Sequence, residues 1–188
     1  MTPTEDAYFE RMWTVDDPWD QEHRFSELRK YRLTVASLPL PHYQNAFEPG
    51  CATGLLTVLL APRCGQVIAM DRHPHAVDVA RSRLADTANA CVRHGRLPED
   101  WPRGTFDLIV LSEVLYYLSE EGVNETLSRA AATANADAHL VAVHYRPEVE
   151  EHALRGDTVD ELVASHRSWR RSIHHLEDDF VLTVSVRE

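Results

Sequence analysis

Glu48-Pro49-Gly50-Cys51-Ala52-Thr53-Gly54 sets a carboxylate beside two closely spaced glycines. A glycine has no Cβ to hold a ligand away from the backbone, so such a loop can bring main-chain groups against a nucleotide-type cofactor. The same spacing also serves an ordinary tight turn, and the flanking pattern must decide. Ala46-Phe47 reads as a first strand before the loop, and residues 55–60 read as a helix after it. Gln66-Val67-Ile68-Ala69-Met70 reads as a second strand ending at Asp71, where a carboxylate can accept hydrogen bonds from ribose hydroxyls. This strand-loop-helix-strand pattern favours a cofactor site. A nicotinamide fingerprint has glycines at its first, third and sixth positions, whereas Ala52 and Leu55 stand at the third and sixth here. An ordinary dinucleotide dehydrogenase is therefore the weaker reading.

More chemistry-bearing side chains lie downstream. Residues 106–111 form a near-continuous apolar run interrupted by Asp107, the pattern of a buried parallel strand, and Ser112, Glu113 and Tyr116 follow it. Ligands of open α/β sheets bind beyond the carboxyl ends of the strands, so these three become pocket candidates. A helix-start carboxylate is the plainer role for Glu113, and aromatic packing the plainer role for Tyr116 and Tyr117. His144 ends a fifth strand over residues 139–144. An imidazole titrates near neutrality, so His144 is a general-base candidate, with simple packing as its alternative. The histidine pairs at 73 and 75 and at 174 and 175 lack a convincing third ligand at diagnostic spacing, and metal-free chemistry is expected.

Glu48 through Gly54, Asp71 and residues 106–115 resemble the S-adenosylmethionine-dependent class I methyltransferases. Four further stretches are similar to the NodS-like branch, named after nodulation protein S: Asp17-Pro18-Trp19, Arg29-Lys30-Tyr31, Gly95-Arg96-Leu97-Pro98-Glu99-Asp100-Trp101-Pro102 and Glu113-Val114-Leu115-Tyr116-Tyr117-Leu118. The similarity spans nearly the whole chain. It implies an α/β, Rossmann-like three-layer sandwich, with a predominantly parallel seven-stranded sheet and an antiparallel C-terminal strand pair. It also implies S-adenosyl-L-methionine as cofactor. Trp19, Tyr31, Glu48, Gly50, Cys51, Ala52, Gly54, Asp71, Arg72, Arg96, Leu97, Ser112 and Glu113 are then the expected cofactor-binding positions. Many class I enzymes carry an acid where Arg96 stands, so Leu97 is the expected apolar wall for the adenine. His144, Glu113 and Tyr116 are the catalytic candidates for methyl transfer to a nitrogen or oxygen of a small acceptor. NodS-like enzymes include N-methyltransferases of aminosugar-containing oligosaccharides, which makes amino-sugar chemistry one possibility. An NAD-dependent oxidoreductase and a noncatalytic S-adenosylmethionine-binding interaction protein remain the alternatives.

The elements that must position these groups follow from the wider pattern. At 188 residues the chain is expected to form one methyltransferase domain over 1–188, with residues 1–41 as a helical cap segment within it. Its helix covers residues 24–38, stopped by Pro39 and Pro41, and Lys30 joins Trp19 and Tyr31 as a cap candidate. Further helices are expected over 74–84, 126–134 and 158–165, the last with Asp157 as N-cap. Residues 90–93 give a third strand, 135–137 a turn into the fifth, and two closing strands meet around Glu177-Asp178-Asp179. Hydrophobic residues make up 44% and charged residues 26%, a globular balance. Nineteen basic against 30 acidic side chains give a net charge of −11, which argues against a broad nucleic-acid surface and for a small-molecule acceptor. No apolar run is long enough to span a membrane and the N-terminus does not read as a secretory signal, so a cytoplasmic location is expected. Cys51, Cys64 and Cys91 have neither zinc nor disulfide spacing.

Overall fold

The computed structural model describes residues 2–188. Two helices, α1 (Asp6–Met12) and α2 (Phe25–Ala36), precede β1 (Tyr43–Pro49). The chain continues through α3 (Leu55–Leu60), β2 (Cys64–Asp71), α4 (Pro74–Arg83), β3 (Ala90–His94) and β4 (Phe106–Ser112). It then runs through α5 (Glu120–Thr133), β5 (Ala134–Tyr145), α6 (Gly156–Ser165), β6 (Trp169–Leu176) and β7 (Phe180–Arg187). The seven strands form one sheet in the order β3-β2-β1-β4-β5-β7-β6. All pairings from β3 to β5 are parallel, and β7 runs antiparallel to both β5 and β6. This is the expected Rossmann-like fold.

Side-chain alternation along β4 explains the three layers. Ile109 and Leu111 pack on one face with Leu127 of α5 and Val159 of α6, while Leu108 and Val110 pack on the other with Tyr31 of α2 and Leu56 of α3. Leu108, Leu140 and Leu182 are fully buried, and truncating any of them to alanine costs about 2–5 kcal/mol. β1 lies between β2 and β4, so the chain leaves it toward opposite halves of the sheet. That reversal opens a crevice beyond the carboxyl ends of β1 and β4.

Several local expectations are corrected. Residues 135–137 are not a separating turn: β5 starts at Ala134, and its register against β4 jumps from Phe106↔Ala134 to Leu108↔His139. The extra residues bulge out of the ladder, with Asp137 at φ 60°. Asp157 lies inside α6 and accepts from Arg146 Nε at 2.6 Å instead of capping the helix. β1 is longer than Ala46-Phe47 because Asp107, the polar exception in β4, accepts the N–H groups of Gln44 and Asn45 at 2.7 and 2.8 Å. Helix α1 lies within the expected helical cap segment, although only the helix over residues 24–38 was placed there. α1 has Asp6 in its first turn, Arg11 in its last, and Phe9 buried beneath it.

Candidate active site

The loop after β1 takes its shape from left-handed backbone and from Asp71. Gly50, Ala52 and Gly54 have φ of 74°, 46° and 78°. A Cβ on Gly50 would lie 3.0 Å from the Val114 side chain, so conformation and space both require glycine there. Gly50 and Cys51 donate their N–H groups to Met70 O at 2.7 and 3.0 Å, joining the loop to the end of β2. Asp71 Oδ2 accepts the Ala52 N–H and Oδ1 the His73 N–H, both at 2.9 Å. Burial pushes the Asp71 carboxyl up, and these two N–H groups oppose it. Each oxygen retains a lone pair, so Asp71 can anchor the loop and still accept from a ligand hydroxyl. Glu48, beneath the loop, accepts the Thr57 hydroxyl at 2.6 Å, and burial pushes its carboxyl up to about 8.

Above this loop lies a cavity of about 570 Å³. Of the expected positions, Trp19, Tyr31, Glu48, Gly50, Cys51, Ala52, Asp71, Arg72, Arg96, Leu97, Ser112, Glu113 and Tyr116 all line it. Gly54 does not: its Cβ position faces Ala80 of α4 and Leu84 just after that helix, so it serves the packing of the turn. Arg72 and Arg96 reach Asp6 of α1, and the Arg72 guanidinium lies 4.3 Å from the centre of the Phe9 ring. These contacts hold α1 over the cavity. Thr53, whose hydroxyl donates to Gln21 Oε1 at 3.0 Å, ties the residues after α1 to the loop.

The opposite wall is built on β4, α2 and the turn Leu115–Tyr117. Glu113 follows β4 directly with φ 58°, its N–H still donating to Val143 O at 2.8 Å. Its Oε2 accepts the Tyr116 hydroxyl at 3.1 Å and lies 3.2 Å from Lys30 Nζ, while Lys30 Nζ is 2.8 Å from Glu27 Oε2. Burial pushes the Glu113 carboxyl up, with Lys30 opposing. Burial pulls the Lys30 ammonium down, but its two carboxylates outweigh that and leave it raised. Glu113 Oε1 and Ser112 Oγ are shielded from water without a hydrogen-bond partner among the described residues. Both residues line the cavity, so it carries polar capacity that the described residues do not use.

His144 stands apart from the candidates that line the cavity. It is 1% exposed, does not line the cavity, and neither ring nitrogen has a hydrogen-bond partner among the described residues. Its ring sits behind Tyr116, with centroids 6.0 Å apart, and burial pulls its pKa down to about 3. The strand-end position was read correctly, but the side chain faces the packed interior. His152, which the sequence did not mark, lines the cavity instead. It stacks on Tyr116 at 4.0 Å, and burial lowers its pKa to about 4. Thr4 was missed as well. Thr4 fastens the N-terminal segment by donating its N–H to Tyr117 O at 2.9 Å and its hydroxyl to Glu151 O at 2.7 Å. Nothing in the irregular stretch around His152 signals its position, whereas the charge order and aromatic residues of α1 were a readable sign.

Comparison with known proteins adds to this geometry. A family model described as Nodulation protein S (NodS) matches residues 3–170. The nodulation protein S of Rhizobium tropici is 35% identical over 120 residues, covering 62% of this chain and 50% of that protein. The chain spans about half the length of the curated nodulation proteins it matches. A solved protein from Pseudomonas syringae assigned as a methyltransferase is 41% identical, with a TM-score of 0.78 over 87% of this chain and 100% of that one. The N-methyltransferase NodS of Bradyrhizobium japonicum WM9, solved with S-adenosyl-L-homocysteine, shares the fold at a TM-score of 0.85 and 23% identity, covering 96% of this chain and 97% of that one.

Proposed function

The chain belongs to the nodulation protein S family, and from that premise we propose that it is an S-adenosylmethionine-dependent methyltransferase acting on a small-molecule acceptor. The observation that carries this reading is the cavity at the sheet's reversal point, floored by the Gly50 loop and by Asp71. The residues there fit the cofactor. Gly50 and Ala52 let the backbone approach the amino-acid portion, Asp71 has lone pairs for the ribose hydroxyls, and Leu97 gives an apolar wall for the adenine. Arg72 and Arg96 are committed to α1, so they act on the cofactor by holding the roof.

When bound, S-adenosylmethionine supplies an electrophilic methyl group on a sulfonium. The protein's part is to hold the acceptor in line with that methyl and to exclude water, which α1 and the aromatic residues Tyr8, Phe9 and Trp13 support by covering the site. Proton removal from the acceptor falls to Glu113, which lines the cavity and whose carboxyl is pushed up by burial. Tyr116 orients it through its hydroxyl. His144 has no share in this step. An amino sugar is the acceptor class we favour, on the strength of the family and of the N-methyltransferase named among its solved members. The acidic balance supports a small molecule over nucleic acid as partner. Among the described residues no helix is long and apolar enough to cross a membrane, which accords with the cytoplasmic location we infer.

Calorimetry with S-adenosylhomocysteine and NAD tests the reading. Saturable binding of S-adenosylhomocysteine, together with methyl transfer from labelled S-adenosylmethionine to glucosamine, is the expected result. Tight NAD binding without S-adenosylhomocysteine binding would reject it.

A further inference from the structure

Charges on the acceptor side of the cavity do not cancel. Glu27 and Glu113 share one ammonium, Lys30, at 2.8 and 3.2 Å, so the ionised triad carries one net negative charge. Lys30 is 3% exposed, and Glu113 Oε1 is shielded with no hydrogen-bond partner among the described residues, so water screens this charge poorly. The left-handed backbone of Glu113 is an uncommon conformation for a residue with a side chain. It is kept where the carboxylate meets Lys30 on one side and the Tyr116 hydroxyl on the other. The remaining titratable neighbours do not supply the missing positive charge. Arg24 also lines the cavity but is exposed to solvent, and His152, stacked on Tyr116, is pulled down by burial to about 4. Burial keeps Tyr31 and Tyr116 neutral, pulls His144 behind Tyr116 down to about 3, and pushes Glu48 up to about 8.

We propose that Lys30 is the positioning residue of the acceptor site: it holds Glu113 as a carboxylate at the cavity wall, and the singly negative Glu27–Lys30–Glu113 triad admits a cationic amine and rejects a neutral hydroxyl compound. The inference rests on the methyltransferase reading above and adds to it the acceptor's charge and the residue that selects it. The acceptor ammonium neutralises the triad on docking. It then passes one N–H proton to the Glu113 carboxylate, which becomes a neutral acid, and the nitrogen lone pair is freed. That lone pair forms the new N–C bond as the methyl–sulfur bond breaks, with the electron pair of the broken bond remaining on sulfur and the positive charge on the methylated nitrogen. A neutral hydroxyl compound would leave the buried negative charge uncompensated, and its own proton is much harder to remove.

The test is a carboxyl-carbon NMR titration of Glu113, assigned by the signal lost in Glu113→Gln, with glucosamine and glucose as probes. Wild type, Lys30→Met and Lys30→Arg are compared, each saturated with S-adenosylhomocysteine. Lys30→Met removes the charge that favours the carboxylate and leaves burial unopposed, so the Glu113 midpoint is expected to rise by about one pH unit or more. Lys30→Arg restores it. The acid limb of the pH profile for glucosamine methylation moves in parallel, a response that a merely structural lysine would not give. If Lys30→Met does not fold, Glu27→Gln replaces it: the triad becomes neutral, and both the Glu113 midpoint and glucosamine binding are expected to fall. In wild type, glucosamine shifts the Glu113 signal and glucose does not. An unmoved midpoint in Lys30→Met, or in Glu27→Gln where it stands in, overturns the proposal. So does a Glu113 signal that ignores glucosamine or answers glucose equally. Absent S-adenosylhomocysteine binding in parallel calorimetry would sink the methyltransferase reading instead, while the titration would still report on the triad.

Discussion

The two walls of the cavity hold their carboxylates by different means. On the β1–β2 side, Asp71 is fixed by the N–H groups of Ala52 and His73, and Glu48 by the Thr57 hydroxyl, all supplied by the adjoining loop and helix. On the β4–α2 side, Glu113 is held by Lys30, from a helix far earlier in the chain, and by Tyr116 in the next turn. The first wall is a local device whose geometry is written into one strand-loop-helix-strand segment. The second exists only after the sheet has brought α2 over the end of β4. In the function proposed above, cofactor binding is assigned to the local device and acceptor selection to the wall assembled from distant parts.

Removing Asp71 gives the largest expected effect and strikes the local wall. Asp71→Ala leaves the Ala52 and His73 N–H groups without their acceptor, at about 1–3 kcal/mol each if water does not replace it. It also removes the oxygens offered to the ribose. S-adenosylhomocysteine affinity should fall by about tenfold or more, and Asp71→Asn, which keeps one oxygen acceptor, should fall between. Calorimetry on folded variants reads this directly. Unchanged affinity in Asp71→Ala would break the comparison, because the cofactor would then not depend on the β1–β2 wall.

A smaller effect is expected at His144, which separates packing from chemistry on the second wall. Its pKa of about 3 in the folded chain lies below the unfolded value near 6.5. Unfolding therefore takes up a proton, and stability is lost as pH falls from the unfolded value through the folded one. The loss is complete only below the folded value. His144→Leu should unfold at lower pH than wild type and leave methyl transfer at neutral pH unchanged. Glu48 works in the opposite sense: with its carboxyl pushed up to about 8, it favours the fold in acid and costs stability as pH rises toward that value. Acid unfolding followed by circular dichroism, alongside single-turnover rates, checks both statements. A large loss of rate in His144→Leu at unchanged S-adenosylhomocysteine affinity would return His144 to the chemistry.

What was legible in the chain follows the same division. Residues 67–70 and 106–111 announce buried parallel strands through apolar runs broken only at Asp107, and the loop between Glu48 and Gly54 shows its left-handed positions through glycine. Ala52, also left-handed, was placed only by the surrounding pattern. The bulge at residues 135–138 was misread because Asn135 and Asp137 carry turn chemistry that a strand irregularity can use equally well. His144 was assigned from its place in the strand, and period-two alternation alone does not say which face opens on a crevice and which on packed side chains. His152 and Thr4 were illegible because they reach the cavity through irregular segments fastened by long-range contacts with Tyr116, Tyr117 and Glu151.

The division of the cavity is tested most directly by a structure of the protein with S-adenosylhomocysteine and glucosamine bound together. The account predicts the ribose hydroxyls on Asp71, the amino-acid portion over the Gly50 loop, and the glucosamine nitrogen on the Glu113 side, nearest the cofactor sulfur. A ribose held away from Asp71, or a glucosamine nitrogen directed at His144 with Glu113 out of reach, would contradict it.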